Sequence, residues 1–401
     1  MTFVTLHDVE AARRKLSGVV RLTPMEGSRV LSEMVGGKVV LKCENLQRTG
    51  SFKIRGAYTR ISRLDDASRA AGVVAASAGN HAQGVALAAS LLGMTSTVFM
   101  PVGAPLPKVA ATSAYGADVQ LVGRTLDETL QAALAFATEN GRTFIHPFDH
   151  PDLIAGHGTV GLEILEQFPE ARTVVVSVGG GGLVSGIAVA AKAIRPDVKV
   201  VGVQAAGAAV WPESLRQGRP VPLTSVQTIA DGIAIAQPGV VTFDYLRDLV
   251  DGVVTVSEEA MSRAIVLCLE RAKLVVEPAG VAALAAVYEN PEAFEPPVVA
   301  VLSGGNIDPL LLGKVISHGL GAAGRQPALR LDVPDYPGAL ARLLELIADA
   351  GANVVDIEHH RMGGDRGLGD VEVTVQLETR GPQHSETVRA ILADAGYGVR
   401  G

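Results

Sequence analysis

The stretch Arg-Thr-Val-Val-Val-Ser-Val-Gly-Gly-Gly-Gly-Leu-Val-Ser-Gly, residues 172–186, joins an apolar strand to four glycines and then to a helix. Consecutive glycines let the backbone fold closely around a ligand with its amides pointing inward, and a phosphate is the natural guest. No Lys-Ser/Thr pair follows, so this is not a Walker loop, and Ser185 replaces the third glycine of the dinucleotide fingerprint. The next strand, residues 198–203, ends in Gln204 and offers no carboxylate to a ribose hydroxyl. The pattern predicts a cofactor with one phosphate and not NAD; a plain flexible turn is the alternative.

Strands alternate with helices on both sides of this stretch. Alternation at this spacing predicts βαβ units and a mostly parallel sheet. A composition of 48% hydrophobic and only 4% aromatic residues, with 45 glycines, suits such an α/β chain of 401 residues. The other predicted strands of this region are residues 38–44, 72–77, 96–100, 118–122 and 297–302.

Charge and composition exclude several classes of partner. A net charge of −7 gives no reason to expect nucleic acid or an anionic membrane. No apolar run reaches about 18 residues, and the first residues lack the layout of a signal peptide. Cys43 and Cys268 allow at most one disulfide and no metal knuckle. We therefore expect a cytoplasmic protein.

Lys53 stands in Glu-Asn-Leu-Gln-Arg-Thr-Gly-Ser-Phe-Lys-Ile-Arg-Gly-Ala, residues 44–57, between a predicted strand and a predicted helix. Just inside a helix start, the local dipole and the free backbone donors disfavour an ammonium. That setting lowers the pKa of a lysine and frees its amine to attack a carbonyl, as a Schiff-base lysine must. A surface lysine at a helix start is the plain alternative.

A second turn, Ser-Ala-Gly-Asn-His-Ala-Gln-Gly at residues 77–84, lies where a strand ends and a helix begins. Open parallel sheets bind ligands at such edges, and helix N-termini hold carboxylates. An ordinary helix N-cap uses the same residue types, and we expect the histidine to pack and not to catalyse. The predicted substrate-binding residues are Ser77, Ala78, Gly79, Asn80 and His81.

Two further polar residues stand at predicted element ends. Ser303 follows the strand at residues 297–302 and can hydrogen-bond a ring nitrogen without carrying charge, or serve as a simple turn serine. Glu277 precedes a helix, either as an N-terminal acid or as part of a pocket wall.

A reactive lysine, a carboxylate-binding turn, a phosphate cup and a ring-nitrogen partner converge on pyridoxal phosphate. The chain resembles the threonine dehydratases (threonine ammonia-lyases) of the tryptophan-synthase-like, fold type II class of pyridoxal phosphate enzymes. The resemblance covers residues 5–322. It rests on four motifs in family order: Ser51-Phe-Lys-Ile-Arg-Gly56, Ser77-Ala-Gly-Asn-His81, Gly179–Gly182 and Ser303-Gly-Gly-Asn306.

The resemblance implies a role for each matched residue. Lys53 carries the cofactor as a Schiff base, Phe52 stacks near the ring, and Asn80 bonds the ring hydroxyl. Ser303 faces the pyridine nitrogen. The phosphate is cradled by Gly179, Gly180, Gly181 and Gly182.

The same resemblance implies the reaction: L-threonine loses an α-proton and its β-hydroxyl and yields 2-oxobutanoate and ammonia, with L-serine to pyruvate as a second reaction. Two positions differ from those of relatives and narrow the expected chemistry. Serine racemases carry a second serine where this chain has Ala78, so racemisation is not expected. Relatives that bind a divalent metal use an acidic residue at the strand end occupied here by Gln204, so no metal of that kind is expected.

After residue 327 the pattern changes to βαββαβ in roughly 70 residues. This segment resembles an ACT domain, the small ligand-sensing module of amino-acid enzymes. The resemblance implies an amino-acid effector, isoleucine or valine, bound between subunits of a homodimer or homotetramer; a domain that only joins subunits is the alternative. His359 and His360 are adjacent in a strand and cannot chelate a metal together. The residues that match the effector loop and strand edge are Asp335, Pro337, Gly338, Leu340 and Asn353.

The sequence thus predicts an α/β fold type II pyridoxal phosphate enzyme with a C-terminal βαββαβ ACT domain. The expected divisions are a catalytic domain at residues 1–322 with a smaller subdomain inserted at roughly 52–150, a linker at 323–327 and the ACT domain at 328–401. The expected activity is an L-threonine dehydratase. The alternatives are threonine synthase or another β-replacement enzyme of the same fold, and a non-enzymatic amino-acid-sensing scaffold.

Overall fold

The computed structural model describes residues 3–360 and 369–400; residues 361–368 of the predicted ACT domain lie outside this part. The chain divides into two compact units, residues 1–312 and 313–401. Within the described residues, no helix is long and apolar enough to cross a membrane.

The first unit is built on parallel strands, as expected. Its described strands are β1 (Met25–Gly27), β2 (Val39–Lys42), β3 (Val73–Ala76), β4 (Ser96–Met100), β5 (Asp118–Leu121), β6 (Thr143–Phe144), β7 (Thr173–Ser177), β8 (Lys199–Ala205), β9 (Gly252–Val256) and β10 (Val298–Val301).

Helices connect these strands. They are α1 (Leu6–Leu16), α2 (Arg29–Val35), α3 (Lys53–Ile61), α4 (Asp66–Ala71), α5 (Asn80–Leu91), α6 (Leu106–Ala114), α7 (Leu126–Glu139), α8 (Pro151–Gln167), α9 (Gly182–Ile194), α10 (Val210–Gln217), α11 (Val240–Leu249), α12 (Glu258–Leu267), α13 (Pro278–Glu289) and α14 (Pro309–Ala322).

The strands form two sheets within residues 3–312. The larger has the order β1-β2-β10-β7-β8-β9, parallel except for the β1–β2 pair. The smaller, β5-β4-β3-β6, is parallel throughout and comes from residues 73–144. Every residue of β2, β3, β4, β7 and β10 is buried, which is why these strands read as near-continuous apolar runs. The carboxyl ends of β3, β7 and β10 lead into the three turns that the sequence singled out.

A buried ionic network fixes helix α3, which begins at Lys53. The guanidinium of Arg55 is fully buried and donates to both oxygens of Glu44 at 2.7 and 2.8 Å and to both oxygens of Glu163 at 2.7 and 2.9 Å. Lys42, also fully buried, donates to Glu163 at 2.6 Å. Burial alone would raise the pKa of Glu44, but the Arg55 guanidinium outweighs it and the net shift is downward. The network ties β2, α3 and α8 together.

The second unit has the βαββαβ order expected of the C-terminal segment. Its described elements after α14 are β11 (Ala328–Pro334), α15 (Ala339–Asp349), β12 (Asn353–His360), β13 (Asp370–Glu378), α16 (Pro382–Asp394) and β14 (Gly398–Arg400). These strands pair in the order β12-β13-β11-β14, antiparallel at every junction. Alternate residues of β11 and β13 are buried against the two helices. The fold class predicted from the sequence is confirmed.

Two glutamates on α8 test the buried network with the same substitution. Glu163→Gln leaves the buried cations of Lys42 and Arg55 undercompensated, so we expect it to lower the free energy of unfolding by about 3 kcal/mol or more. Glu166→Gln, three residues later, removes an exposed ion pair with Arg13 and should cost less than about 1 kcal/mol. Urea denaturation of both variants measures the difference; equal losses would contradict this account of α3.

Candidate active site

A cavity of about 470 Å³ opens where β3, β7 and β10 end, and all the predicted catalytic, cofactor-binding and substrate-binding residues line it. The structure therefore brings together residues that lie up to 251 positions apart in the chain, from Phe52 to Ser303. These lining residues are Phe52, Lys53, Ser77, Ala78, Gly79, Asn80, His81, Gly179, Gly180, Gly181, Gly182 and Ser303.

Lys53 is the first residue of α3, as the sequence predicted. Its Nζ donates a hydrogen bond to the backbone oxygen of Pro147 at 2.8 Å and lies 5.2 Å from the ring centroid of Phe52. Burial lowers the pKa of Lys53 to about 8, against the opposing attraction of the Glu277 carboxylate. The ring of His157 meets the Phe52 ring edge-on at 4.8 Å and holds it beside the amine. The result is an amine that is largely uncharged in mildly alkaline solution.

The glycine loop between β7 and α9 is held by its carbonyls. Trp211 Nε1 donates to the oxygen of Gly179 at 2.7 Å, and Thr242 Oγ1 donates to the oxygen of Gly180 at 2.6 Å. Among the described residues, the amides of Gly179, Gly180 and Gly181 have no hydrogen-bond acceptor. The loop thus presents unpaired donors at the start of a helix, which is the arrangement that binds anions.

Two of these positions require glycine. Gly181 has a φ of +96°, a left-handed conformation that other residues rarely adopt. A Cβ on Gly180 would lie 2.1 Å from the ring of Phe148, so the ring and the loop pack more closely than any side chain at 180 would allow. The ring of Phe148 and the glycine loop thus pack together in the wall of the same cavity.

The turn after β3 presents the first residues of α5 to the cavity. The amide of Gly79 donates to Ser77 Oγ at 3.2 Å, and α5 begins at Asn80. Ala78 lines the cavity with a methyl group and supplies no proton donor or acceptor from its side chain. His81 Nε2 bonds the backbone oxygen of Ile145 at 2.9 Å, and burial lowers the pKa of His81 to about 3. His81 is therefore a neutral, packed side chain at the cavity wall.

Ser303 is buried directly after β10. Its backbone amide donates to the oxygen of Gly280 at 3.1 Å, and its own oxygen accepts from the amide of Phe52 at 3.2 Å. The hydroxyl makes no hydrogen bond to the described residues, so it is a neutral group that can face a ligand in the cavity.

Several cavity residues were not predicted as site residues. Glu277 occupies the N-cap position of α13, without a capping hydrogen bond from its side chain, and it lines the cavity. Lys108 and Asp231 also line the cavity, with 3.8 Å between their charged atoms. Phe148 belongs here too. The sequence carried no signal for these last three, because each comes from a segment without a motif.

Gln204, where no divalent metal was expected, makes structural hydrogen bonds. Gln204 is fully buried; its Oε1 accepts from the amide of Trp211 at 2.8 Å and its Nε2 donates to the oxygen of Ala208 at 3.0 Å. Within residues 3–360 and 369–400, no group of three or more His, Cys, Asp or Glu side chains is arranged to hold a metal ion.

The cavity residues fit pyridoxal phosphate. Lys53 offers an amine of lowered pKa to the aldehyde, the glycine loop offers unpaired amides to the phosphate, and Ser303 offers a neutral hydroxyl to the ring nitrogen.

The predicted effector residues occupy the start of the second unit's first helix and an edge strand. The amide of Asp335 donates to the oxygen of Gly369 at 2.8 Å, and Gly338 caps α15 with a φ of +91°. Leu340 packs against the unit's core, and Asn353 begins β12. Pro337 lies in the loop between β11 and α15. A groove of about 380 Å³ lies beside α15, but none of these five residues lines it.

Comparison with known proteins agrees with both units. Residues 16–304 match the family model "Pyridoxal-phosphate dependent enzyme", and residues 328–395 match the ACT domain. The chain is similar to an L-threonine ammonia-lyase of Thermotoga maritima, 46% identical over 99% of each chain. It is similar to another of Geobacter sulfurreducens, 47% identical over 97% of each.

Among solved structures, the chain is similar to the processed form of threonine deaminase isoform 2 from Solanum lycopersicum, with a TM-score of 0.76 and 39% identity over 78% of this chain and 86% of that one. It is also similar to maize serine racemase, with a TM-score of 0.75 and 37% identity over 78% of this chain and 97% of that one. The chain belongs to the family of pyridoxal-phosphate dependent enzymes, in the group of the L-threonine ammonia-lyases, and carries a C-terminal ACT domain.

Proposed function

We propose that this protein is a pyridoxal phosphate-dependent L-threonine ammonia-lyase that converts L-threonine to 2-oxobutanoate and ammonia, with L-serine as a second substrate. The observation that carries the proposal is one cavity that holds the Lys53 amine, the unpaired amides of the glycine loop and the Ser303 hydroxyl. Its full-length similarity to L-threonine ammonia-lyases supports the choice of reaction.

Bound pyridoxal phosphate would withdraw electrons from the amino acid and so acidify its Cα–H bond. Lys53 would hold the cofactor and, once displaced by substrate, would take the proton from Cα. Its lowered pKa makes the amine available as a base near neutrality, and the Pro147 oxygen holds its Nζ in one position. Phe52, pinned by His157, would keep the cofactor ring beside that amine.

The turn at residues 77–81 would bind the substrate carboxylate through the amides at the start of α5. His81 is neutral, so it would form part of the cavity wall without adding a charge. The methyl side chain of Ala78 has no proton to return to Cα from the opposite face. This absence favours elimination over racemisation and separates the chain from the serine racemase it resembles.

Ser303 would pair with the ring nitrogen through a neutral hydroxyl. A serine does not protonate that nitrogen, because its hydroxyl is far too weak an acid. Less negative charge is then drawn into the ring, and prompt loss of the β-hydroxyl becomes the favoured path.

For the second unit we propose that an amino acid, isoleucine or valine, binds near Asp335, Pro337, Gly338, Leu340 and Asn353 between the ACT domains of a homodimer or homotetramer. The ACT domain match supports this choice. Both cysteines are buried and unpaired, which fits the reducing cytoplasm in which we place the enzyme.

Two alternative functions predict results that differ from those of the proposed lyase. A threonine synthase or other β-replacement enzyme of this fold needs a second substrate, whereas the proposed enzyme releases 2-oxobutanoate from threonine alone. A scaffold that only senses amino acids would neither bind pyridoxal phosphate covalently nor turn over threonine.

Replacing Lys53 tests the catalytic assignment. Lys53→Ala should lower 2-oxobutanoate release by at least about 10⁴-fold and abolish the visible absorbance of the bound cofactor, because both need the amine. Lys15→Ala, at an exposed position on α1, is the control and should match the wild type. Threonine turnover retained without Lys53 would reject the assignment.

The lowered pKa of Lys53 predicts how the apoprotein captures its cofactor. Only the neutral amine attacks an aldehyde, so the capture rate, measured between pH 6.5 and 10, should rise by up to about tenfold per pH unit below pH 8 and level off above it. Nα-acetyl-lysine under the same conditions should keep gaining to about pH 10.4. Stopped-flow absorbance measures both; a protein curve that follows the free lysine would contradict the shift.

Effector binding is tested on the intact enzyme. Isoleucine or valine should change threonine turnover, and Asp335→Ala or Asn353→Ala should raise the concentration needed by about tenfold, equivalent to about 1.4 kcal/mol of lost contact. Gln383→Ala, exposed on α16, is the control. If both variants respond like the wild type, the effector site lies elsewhere.

A further inference from the structure

Glu277 has no role in the proposed function, yet its carboxylate in the cavity wall is closely packed and hydrogen-bonded. Its Oε1 accepts a hydrogen bond from Asn80 Nδ2 at 2.5 Å. A Cβ on Gly304 would lie 2.3 Å from that same oxygen, so the glycine next to Ser303 makes room for the carboxylate. The amide of Glu277 also donates to the oxygen of Gly304 at 3.1 Å.

The carboxylate decides which way the Asn80 amide faces. An ionised carboxylate only accepts hydrogen bonds, so the Asn80 group beside it must be the nitrogen. The Asn80 oxygen then faces Asn306, whose Nδ2 donates to it at 2.7 Å and to the backbone oxygen of Thr49 at 2.6 Å. One of the two Asn80 N–H bonds is used by Glu277, and the other remains for a ligand in the cavity that Asn80 lines.

The charges around Glu277 make its ionisation sensitive to pH near neutrality. Burial raises the pKa of Glu277 to about 7, against the hydrogen bond from Asn80 and the attraction of Lys108 and Lys53, while Asp231 repels it. Above pH 7 the group is a carboxylate that orients Asn80. Below pH 7 it is a neutral acid with a hydroxyl of its own, and the constraint on Asn80 weakens.

We propose that Glu277 is a positioning residue: its carboxylate holds the Asn80 amide so that the free N–H points at an oxygen acceptor on the bound cofactor. The proposal rests on the pyridoxal phosphate site proposed above. Glu277 acts through Asn80 and does not itself take part in proton transfer.

A double-mutant cycle on cofactor affinity tests this coupling. Apoproteins with Glu277→Gln, Asn80→Ala and both changes are titrated with pyridoxal phosphate at pH 8.5. We expect Glu277→Gln to weaken binding about tenfold, Asn80→Ala at least as much, and the double variant no more than Asn80→Ala alone. Additive losses, or wild-type affinity in Glu277→Gln, would overturn the proposal.

The pH dependence of the same titration adds a readout that a structural defect would not produce. The ratio of wild-type to Glu277→Gln affinity should be about tenfold above pH 8 and approach one below pH 6, because Glu277 is then neutral like glutamine. Titration of the cofactor occurs in both proteins and cancels in the ratio. Loss of the Glu277 carboxylate lowers the pKa of Lys53 further and so favours cofactor capture by the variant, which opposes the expected ratio and cannot produce it. A ratio that does not vary with pH would refute the role of the charge.

Two further variants keep the test decisive. Glu289→Gln, at the far end of α13, is the matched control and should bind the cofactor like the wild type at every pH. If Glu277→Gln does not fold, Glu277→Asp replaces it. The shorter carboxylate should weaken the binding of pyridoxal phosphate, and the affinity of this variant should still depend on pH. An affinity equal to that of the wild type would overturn the proposal.

Failure of this inference is separable from failure of the proposed function. A wild-type protein that releases no 2-oxobutanoate but shows the pH-dependent affinity ratio supports the role of Glu277 and rejects the lyase activity. An active wild-type protein whose ratio stays near one at all pH values does the reverse.

Discussion

The site depends on the buried guanidinium of Arg55, which stands two residues after Lys53 on the same helix. Its five N–H donors could not be left unpaired inside a protein, so Glu44, which follows β2, and Thr159 and Glu163, both on α8, converge on it. This pairing allows α3 little freedom to rotate or slide. The amine of Lys53 lies at the cavity, where its Nζ donates to the Pro147 oxygen.

Around that amine, desolvation and charge act in opposite directions. Burial lowers the pKa of Lys53 and raises that of Glu277, and each group's charge partly restores the other's ionisation. Both groups therefore titrate close to neutrality. His81 and His157 remain neutral because burial lowers their pKa values as well.

Small residues shape the chemistry as much as the charged ones do. Gly180 admits the ring of Phe148, Gly304 admits the carboxylate of Glu277, and Ala78 presents only a methyl group to the cavity. Each of these three features would be lost if the side chain at that position were one or two atoms larger. The chain is similar both to a threonine deaminase and to a serine racemase, so the fold alone does not decide between elimination and racemisation.

The sequence by itself determined the alternation of strands and helices, the βαββαβ order of the second unit and the four motifs at strand ends, because period, glycine runs and helix starts are local properties. It also led to the lysine, the glycine loop and Ser303, which all line one cavity. Local pattern carried no signal for Lys108, Asp231 and Phe148. For Glu277 it left two roles open, an acid at a helix N-terminus or part of a pocket wall. Only the tertiary structure decided their place, because a carboxylate's pKa and an amide's orientation depend on neighbours that are distant in the chain. Glu277 and Asn80 are 197 residues apart and meet only because the starts of α13 and α5 lie at the same cavity.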